Sequence, residues 1–193
     1  MLNASPTRVK PLLLSILMLA YLAVALPAAT LERLSLDDLI GKSTTIVRGK
    51  ILNSYTAASG PVIYTHYRIQ TSETLKGTPN GTVEIQLPGG TAGNLRQTFA
   101  GVPQFKAGDE YVFFLWTGKS GSTQVLGLTQ GLFSIASGGA KDPLTTRSAS
   151  HETMLDRGTG KQVKDQTLTM HLSELRARIH SSTSGAADRK SVV

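Results

Sequence analysis

The 193-residue chain contains no cysteine, which excludes a disulfide framework, a cysteine-based zinc ribbon and a cysteine nucleophile. Its 20 Lys and Arg outnumber its 13 Asp and Glu, which gives a formal net charge of +7. Solvated basic faces of this size are common, so the excess does not by itself indicate nucleic acid, and we expect no nucleic-acid partner.

The N-terminal segment has the layout of a secretory signal peptide. Residues 1–10 carry two cations and no acid, residues 11–26 are almost wholly apolar, and small residues follow up to Ala29. This order is typical of a cleavable signal. We therefore predict a signal peptide at 1–29, a mature chain that begins between residues 24 and 31, and a secreted or periplasmic protein. The alternative is an uncleaved anchor. After cleavage we expect no further contact with the membrane.

The mature chain, about 165 residues with a net charge near +5, has the length of one domain. Ser35 and Asp38 form a capping-box pattern that predicts a short helix ending at Gly41. Three stretches then alternate apolar and polar residues, which predicts half-buried strands over 44–54, 62–73 and 82–87. The Asn80-Gly81 pair between the last two predicts a two-residue hairpin turn.

The second half of the chain begins with a different kind of strand. Residues 111–116 are apolar on both faces, which predicts a strand buried on both sides. A fifth strand is predicted over 124–136, where Gly127 and Gly131 indicate a bulge or a sharp bend. Residues 137–166 are polar and irregular in pattern, leucines at helical spacing predict a helix over 169–180, and 181–193 has the composition of a disordered tail.

Several short motifs occur in chain order: Leu36-x-x-Leu39, Ile46-Val47-x-Gly49, Ile63-Tyr64-Thr65, Glu73-x-Leu75-Lys76-Gly77, Leu87-Pro88-Gly89-Gly90, Pro103-x-Phe105-x-x-Gly108-Asp109-Glu110-Tyr111 and Gly127-Leu128-x-Gln130-Gly131-x-Phe133. Together they are similar to those of a group of uncharacterised exported bacterial proteins. The likeness covers residues 35–136 and, more loosely, the last helix, and it implies export but no activity. More remotely, Ile46-Val47-Arg48-Gly49-Lys50 and Leu75-Lys76-Gly77 resemble the netrin-like module of tissue metalloproteinase inhibitors, which implies a five-stranded OB-type barrel. Those inhibitors bind zinc through an amino-terminal cysteine, which this chain lacks, so their activity is not implied.

The strand pattern, the glycine bends and this resemblance together predict a mainly β fold. We expect a five-stranded antiparallel OB-like barrel over 30–136, with a short N-terminal helix inside that range. An irregular extension over 137–180 ends in the C-terminal helix, and 181–193 is a disordered tail. A β-sandwich or jelly roll is the alternative.

No motif in the sequence predicts a catalytic, cofactor-binding or metal-binding residue. The Gly-Lys-Ser triplets lack the upstream glycine of a phosphate loop, and His151-Glu152 lacks the second histidine of a zinc protease. The alternating pattern instead places Arg48, Lys50, His66 and Arg68 on the polar faces of the first two strands. If these strands are neighbours, the four cations share one face with no acid among them, suited to an anionic polymer.

The sequence leaves three classes of function open. The first is an exported, non-catalytic binding or interaction module of the bacterial cell envelope, with an anionic envelope polymer or another exported protein as partner. The second is a secreted hydrolase whose site is assembled only in three dimensions, which a cleft holding a histidine beside an acid would favour. The third is a structural part of a surface assembly.

Overall fold

The structure, a computed structural model, describes the backbone of residues 30–79 and 81–190 and the side chains up to Ser184. The predicted signal peptide lies outside the described residues. The fold is mainly β. The strands are β1 Thr30–Glu32, β2 Thr45–Ser59, β3 Val62–Lys76, β4 Thr82–Pro88, β5 Gly90–Ala92, β6 Leu95–Gln97, β7 Glu110–Thr117, β8 Thr123–Val125, β9 Leu132–Ile135, β10 Leu144–Arg147, β11 Thr153–Leu155, β12 Gln162–Val163 and β13 Leu168–His171. The described residues also form two α-helices, α1 Leu36–Lys42 and α2 Leu172–Lys190, and a 3₁₀ turn at Leu128–Gly131.

Eight strands form one antiparallel sheet in the order β13-β10-β9-β7-β2-β3-β4, with β8 also paired to β7. Two smaller sheets flank it, β5 with β6 and β1 with β11 and β12, where β1 runs parallel to β11. Among the described residues, β4 is the last strand of this order and forms a hydrogen-bonded ladder with β3 alone. The sheet is therefore not closed there, and the five-stranded OB-like barrel stays a prediction.

The sheet separates two apolar cores, and β7 contributes to both. Val112 and Phe114 face the core beneath the two helices, whereas Phe113 and Leu115 face the core enclosed by β2, β3 and β4. All four side chains are fully buried. The prediction of a strand buried on both sides is confirmed for these residues.

The predicted α1 is present, with both hydrogen bonds of the Ser35 and Asp38 capping box. It continues through Gly41 to Lys42, so the predicted stop at Gly41 is wrong, and Ser43 caps it by donating its hydroxyl to the Leu39 carbonyl at 2.7 Å. In α2, Leu172, Leu175 and Ile179 are buried against α1, as their helical spacing predicts.

The connection between β3 and β4 is longer than the predicted two-residue hairpin. Gln70 pairs with Thr82, so the chain between them spans eleven residues, and Gly81 does adopt a left-handed φ of +78°. The reason is that the end of β3 pairs only with β2 and carries Leu75 into the helical core.

The C-terminal third is more ordered than the predicted irregular extension. Residues 137–166 contain β10 to β12, and β10 joins the main sheet between β9 and β13. A buried ion pair fastens this region, since Arg147 donates to Asp165 at 2.6 Å and to the Leu34 carbonyl at 3.2 Å. The first part of the predicted tail is also helical, since α2 extends to Lys190. Within it, Thr183 donates its hydroxyl to the Ile179 carbonyl at 3.0 Å.

Over the described ranges, 30–79 and 81–190, the structure has no helix that is both long enough and apolar enough to cross a bilayer.

Candidate functional site

The four cations singled out in the sequence lie on one surface, which we call the outer face: the side of β2, β3 and β4 opposite the buried Tyr67 and Ile69. β2 and β3 are neighbours over their whole length, as the hypothesis requires. Arg48 and Lys50, however, pair across from Glu73 and Gln70, whereas His66 pairs across from Tyr55. Gln70 and His66 lie four positions apart along β3, which is about 13 Å at 3.3 Å per residue. The structure therefore places the four residues in two clusters.

Each cluster is organised by one glutamate. Glu110, at the start of β7, accepts a hydrogen bond from Arg48 Nε at 2.7 Å and lies 3.7 Å from Lys50 Nζ. Glu84, on β4, lies 3.2 Å from His66 Nδ1 and 3.3 Å from Arg68 Nε. The expectation of an acid-free face is thus wrong, because β4 and β7 each bring an acid to it.

The Glu84 cluster is the more elaborate of the two. The Tyr55 hydroxyl donates to Glu84 Oε1 at 2.8 Å, and the Tyr55 ring stacks on the His66 ring at 4.7 Å with an angle of 9° between the planes. The Arg68 guanidinium carbon lies 5.9 Å from the centre of the Tyr55 ring, within cation–π range. Three side chains from β2 and β3 are therefore held by one carboxylate.

These contacts alter the titration of the carboxylate and the phenol. Burial acts to raise the pKa of Glu84, but hydrogen bonds from Tyr55, Arg68 and His66 outweigh it and lower the pKa below its usual 4.5. The same hydrogen bond to Glu84 raises the pKa of Tyr55 above its usual 10.0. Glu84 is thus an anion and Tyr55 a neutral donor throughout the neutral range.

Next to this cluster, the outer face forms one wall of an open groove of about 520 Å³, whose other wall is the hairpin between β7 and β8. A shallower hollow of about 320 Å³ continues it and brings in Glu84. The two hollows share His66, Gln86, Ser120 and Ser122. We call this continuous depression the outer groove.

An exposed tryptophan and a tight hairpin form the second wall of the outer groove. Trp116 ends the buried run of β7 yet remains 46% exposed. Its ring lies over Gly118, where an added Cβ would come within 3.1 Å of the indole. The hairpin is closed by a hydrogen bond from the Gly118 N–H to the Ser122 carbonyl at 2.9 Å, and it carries Lys119 into the groove.

Sequence reasoning missed Tyr55, Glu84 and Trp116. Glu84 lies on the polar face of the third predicted strand, so correct pairing of that strand with β3 would have found it. Tyr55 falls one residue beyond the predicted end of the first strand. Trp116 was assigned to the core because it ends an apolar run, and its position beside the hairpin is a tertiary property.

Across the part of the chain that the structure describes, no group of three or more His, Cys, Asp or Glu side chains is arranged to hold a metal ion.

Comparison of the chain with protein-family models, with curated proteins and with solved structures finds no match.

Proposed function

We propose that this protein is an exported, non-catalytic binding module of the bacterial cell envelope, and that its outer groove binds an acidic polysaccharide. The observation that carries this proposal is the groove between Trp116 and the Glu84 cluster. An exposed aromatic ring beside amide, hydroxyl and charged groups suits a sugar, which has an apolar ring face and a rim of hydroxyls. Gln86, Gln124 and Ser122 line the groove as hydrogen-bonding groups.

The charge of the groove favours an acidic over a neutral polymer. Lys119 lines it, and Arg68 at its edge is 53% exposed even while it contacts Glu84. Because both clusters already contain a carboxylate, stacking and hydrogen bonds supply most of the recognition, and the cations add a weak, salt-sensitive attraction.

An OB-like, partly open barrel is the fold that we propose for β2, β3, β4, β7 and β8. These strands surround one apolar core that includes Ile69, Ile85 and Phe113, and Cα atoms of β4 and β8 come within 8 Å without forming a ladder. OB-fold proteins bind oligosaccharides and oligonucleotides on the face of their second and third strands and on the adjoining loops. In this chain that face is formed by β3 and β4, beside the β7–β8 hairpin. The resemblance to the netrin-like module is part of the same proposal.

Retention of the purified protein on immobilised alginate, a polymer of uronic acids, tests the proposal, with dextran as the neutral comparison. We expect Trp116→Ala to weaken alginate binding at least tenfold, because a central aromatic residue commonly contributes more than 1.4 kcal/mol. Phe99→Ala is the matched control, since Phe99 is also 46% exposed but lies away from the groove. Equal retention of the two variants, or equal binding to dextran, would reject the outer groove as the site.

One observation favours a hydrolase as the second candidate. His66 and Glu84 are 3.2 Å apart in the groove, the arrangement in which a carboxylate orients an imidazole as a general base. If alginate becomes shorter during the binding experiment and His66→Ala abolishes this shortening, the protein is a hydrolase and not a non-catalytic binding module.

A further inference from the structure

A second cleft, remote from the outer groove, lies between the loop over 101–105 and the segment over 148–152. Its volume is about 580 Å³, within the range of small-molecule sites. One wall is apolar and includes Phe105, Tyr111 and Leu132. The rings of Phe105 and Tyr111 meet edge to face at 5.4 Å. The opposite wall carries His151 and Glu152. We call this hollow the Glu152 cleft.

The charge in this cleft is opposite to that of the molecule. The described residues that line it include one carboxylate, that of Glu152, and neither Lys nor Arg. A chain with a net charge of +7 therefore presents here a locally acidic, partly apolar hollow.

The Glu152 carboxylate is poorly compensated. Its Oε2 atom is buried and has no hydrogen-bond partner among the described residues. The loop can close this tightly because residue 101 is glycine, with φ at +74°; an added Cβ there would lie 3.0 Å from Glu152 Oε1. A buried carboxylate oxygen without a hydrogen-bond partner is costly, so a bound donor at this carboxylate would remove a penalty that the unliganded protein carries.

From these observations we propose that the Glu152 cleft binds a small organic ammonium ion, its charged nitrogen at Glu152 and its apolar body against Phe105, Tyr111 and Leu132. Two aromatic rings and a leucine side chain form this wall, which suits an apolar body such as one aromatic ring or a short alkyl chain. This site is independent of the outer groove and does not rest on the proposed polysaccharide binding.

The test uses 2-phenylethylamine as the probe, with 2-phenylethanol and 3-phenylpropanoate as neutral and anionic analogues of similar size. We expect calorimetric titration of the purified protein to show binding of the amine at least tenfold tighter than of either analogue, since a hydrogen bond to a charged group has about this strength. Glu152→Gln should reduce the affinity for the amine at least tenfold, whereas Glu174→Gln on exposed α2 surface and Trp116→Ala in the outer groove should leave it unchanged.

Thermal unfolding supplies a second measurement. The amine should raise the melting temperature of the wild type but not of Glu152→Gln. The variant alone should unfold at the same or a higher temperature, because the wild-type Glu152 Oε2 atom is buried without a hydrogen-bond partner. Equal affinity for the amine and the propanoate, undiminished binding in Glu152→Gln, or absence of amine binding would each overturn the proposal.

Discussion

Glu84 shows how one side chain organises the outer face. It is partly exposed, yet it accepts a hydrogen bond from Tyr55 and lies within 3.3 Å of both His66 and Arg68. The carboxylate thereby fixes the stacked Tyr55–His66 pair that flanks the groove. Long polar side chains at a surface are otherwise free to adopt many rotamers, and ordering them in advance lowers the cost of ligand binding.

The lowered pKa of Glu84 predicts how this cluster depends on pH. A folded-state pKa below the unfolded value near 4.5 means that the ionised carboxylate stabilises the fold above pH 4.5. This stabilisation is lost as the pH falls through the lower folded-state value. We expect Glu84→Gln to reduce the free energy of unfolding at pH 7, with a difference from the wild type that shrinks below pH 4.5.

Urea unfolding between pH 3 and pH 7 measures this difference, and Glu174→Gln on the exposed first turn of α2 is the control for loss of one negative charge. A Glu84→Gln difference that stays constant over the whole range would mean that the hydrogen bonds do not depend on ionisation.

The cations of the outer face could be predicted from the sequence, but the glutamates that organise them could not. Alternation in two strands assigned Arg48, Lys50, His66 and Arg68 to the polar faces of those strands, because side-chain direction in a strand has a period of two. It could not supply the partners Glu110 and Glu84, which come from strands 62 and 18 residues away from Arg48 and His66. Strand order is a long-range property that local pattern does not encode.

At the scale of elements, the strands with an alternating or doubly apolar pattern were predictable, and the others were not. β2, β3, β4 and β7 all occur where the sequence predicts them, although β2 and β3 are longer. The fifth predicted strand is instead divided into β8, a 3₁₀ turn and β9. Gly127 is the bend, with φ at +64°, and the sequence did mark that residue. β10 to β13 are short and polar, and they depend on tertiary partners such as the buried Arg147–Asp165 pair.

The long β2–β3 ladder depends on close approach at Gly49. An added Cβ there would lie 2.6 Å from both the Gln70 carbonyl oxygen and Ile69 Cγ2. We expect Gly49→Ala to lower the free energy of unfolding by about 1–3 kcal/mol, the usual cost of overpacking a filled core. Gly41→Ala is the matched control, because Gly41 lies inside α1 with no atom within 4 Å of the added Cβ.

Chemical denaturation of the two variants distinguishes a steric effect from a general cost of removing glycine. Gly41→Ala should be neutral or stabilising by up to about 1 kcal/mol, as expected inside a helix. Equal losses in both variants would argue against close packing between β2 and β3 as the cause.

At the scale of the whole molecule, the segment that follows the predicted signal is part of the fold. Gln130, itself buried, donates to the Glu32 carbonyl at 3.0 Å and accepts from the Leu34 N–H at 2.8 Å. Arg147 donates to the Leu34 carbonyl, and Leu34 packs in the helical core. One short segment thus joins the 3₁₀ turn, β10 and the helices.

For the predicted signal peptide, this arrangement limits the positions at which cleavage would leave the fold intact. Removal of residues up to Ala29 leaves β1 intact, whereas removal of residues up to Leu34 would leave the buried Gln130 side chain and the Arg147 Nη1 atom without these partners. We expect N-terminal sequencing of the exported protein to give a first residue between 24 and 31. A chain engineered to start at Ser35 should unfold at a clearly lower temperature than one that starts at Thr30, because unsatisfied buried polar groups cost about 1–3 kcal/mol each. Recovery of protein that starts at Met1 in a membrane fraction would instead make the first 29 residues an anchor. Equal melting temperatures for the two shortened chains would mean that the segment over 30–34 is dispensable for stability.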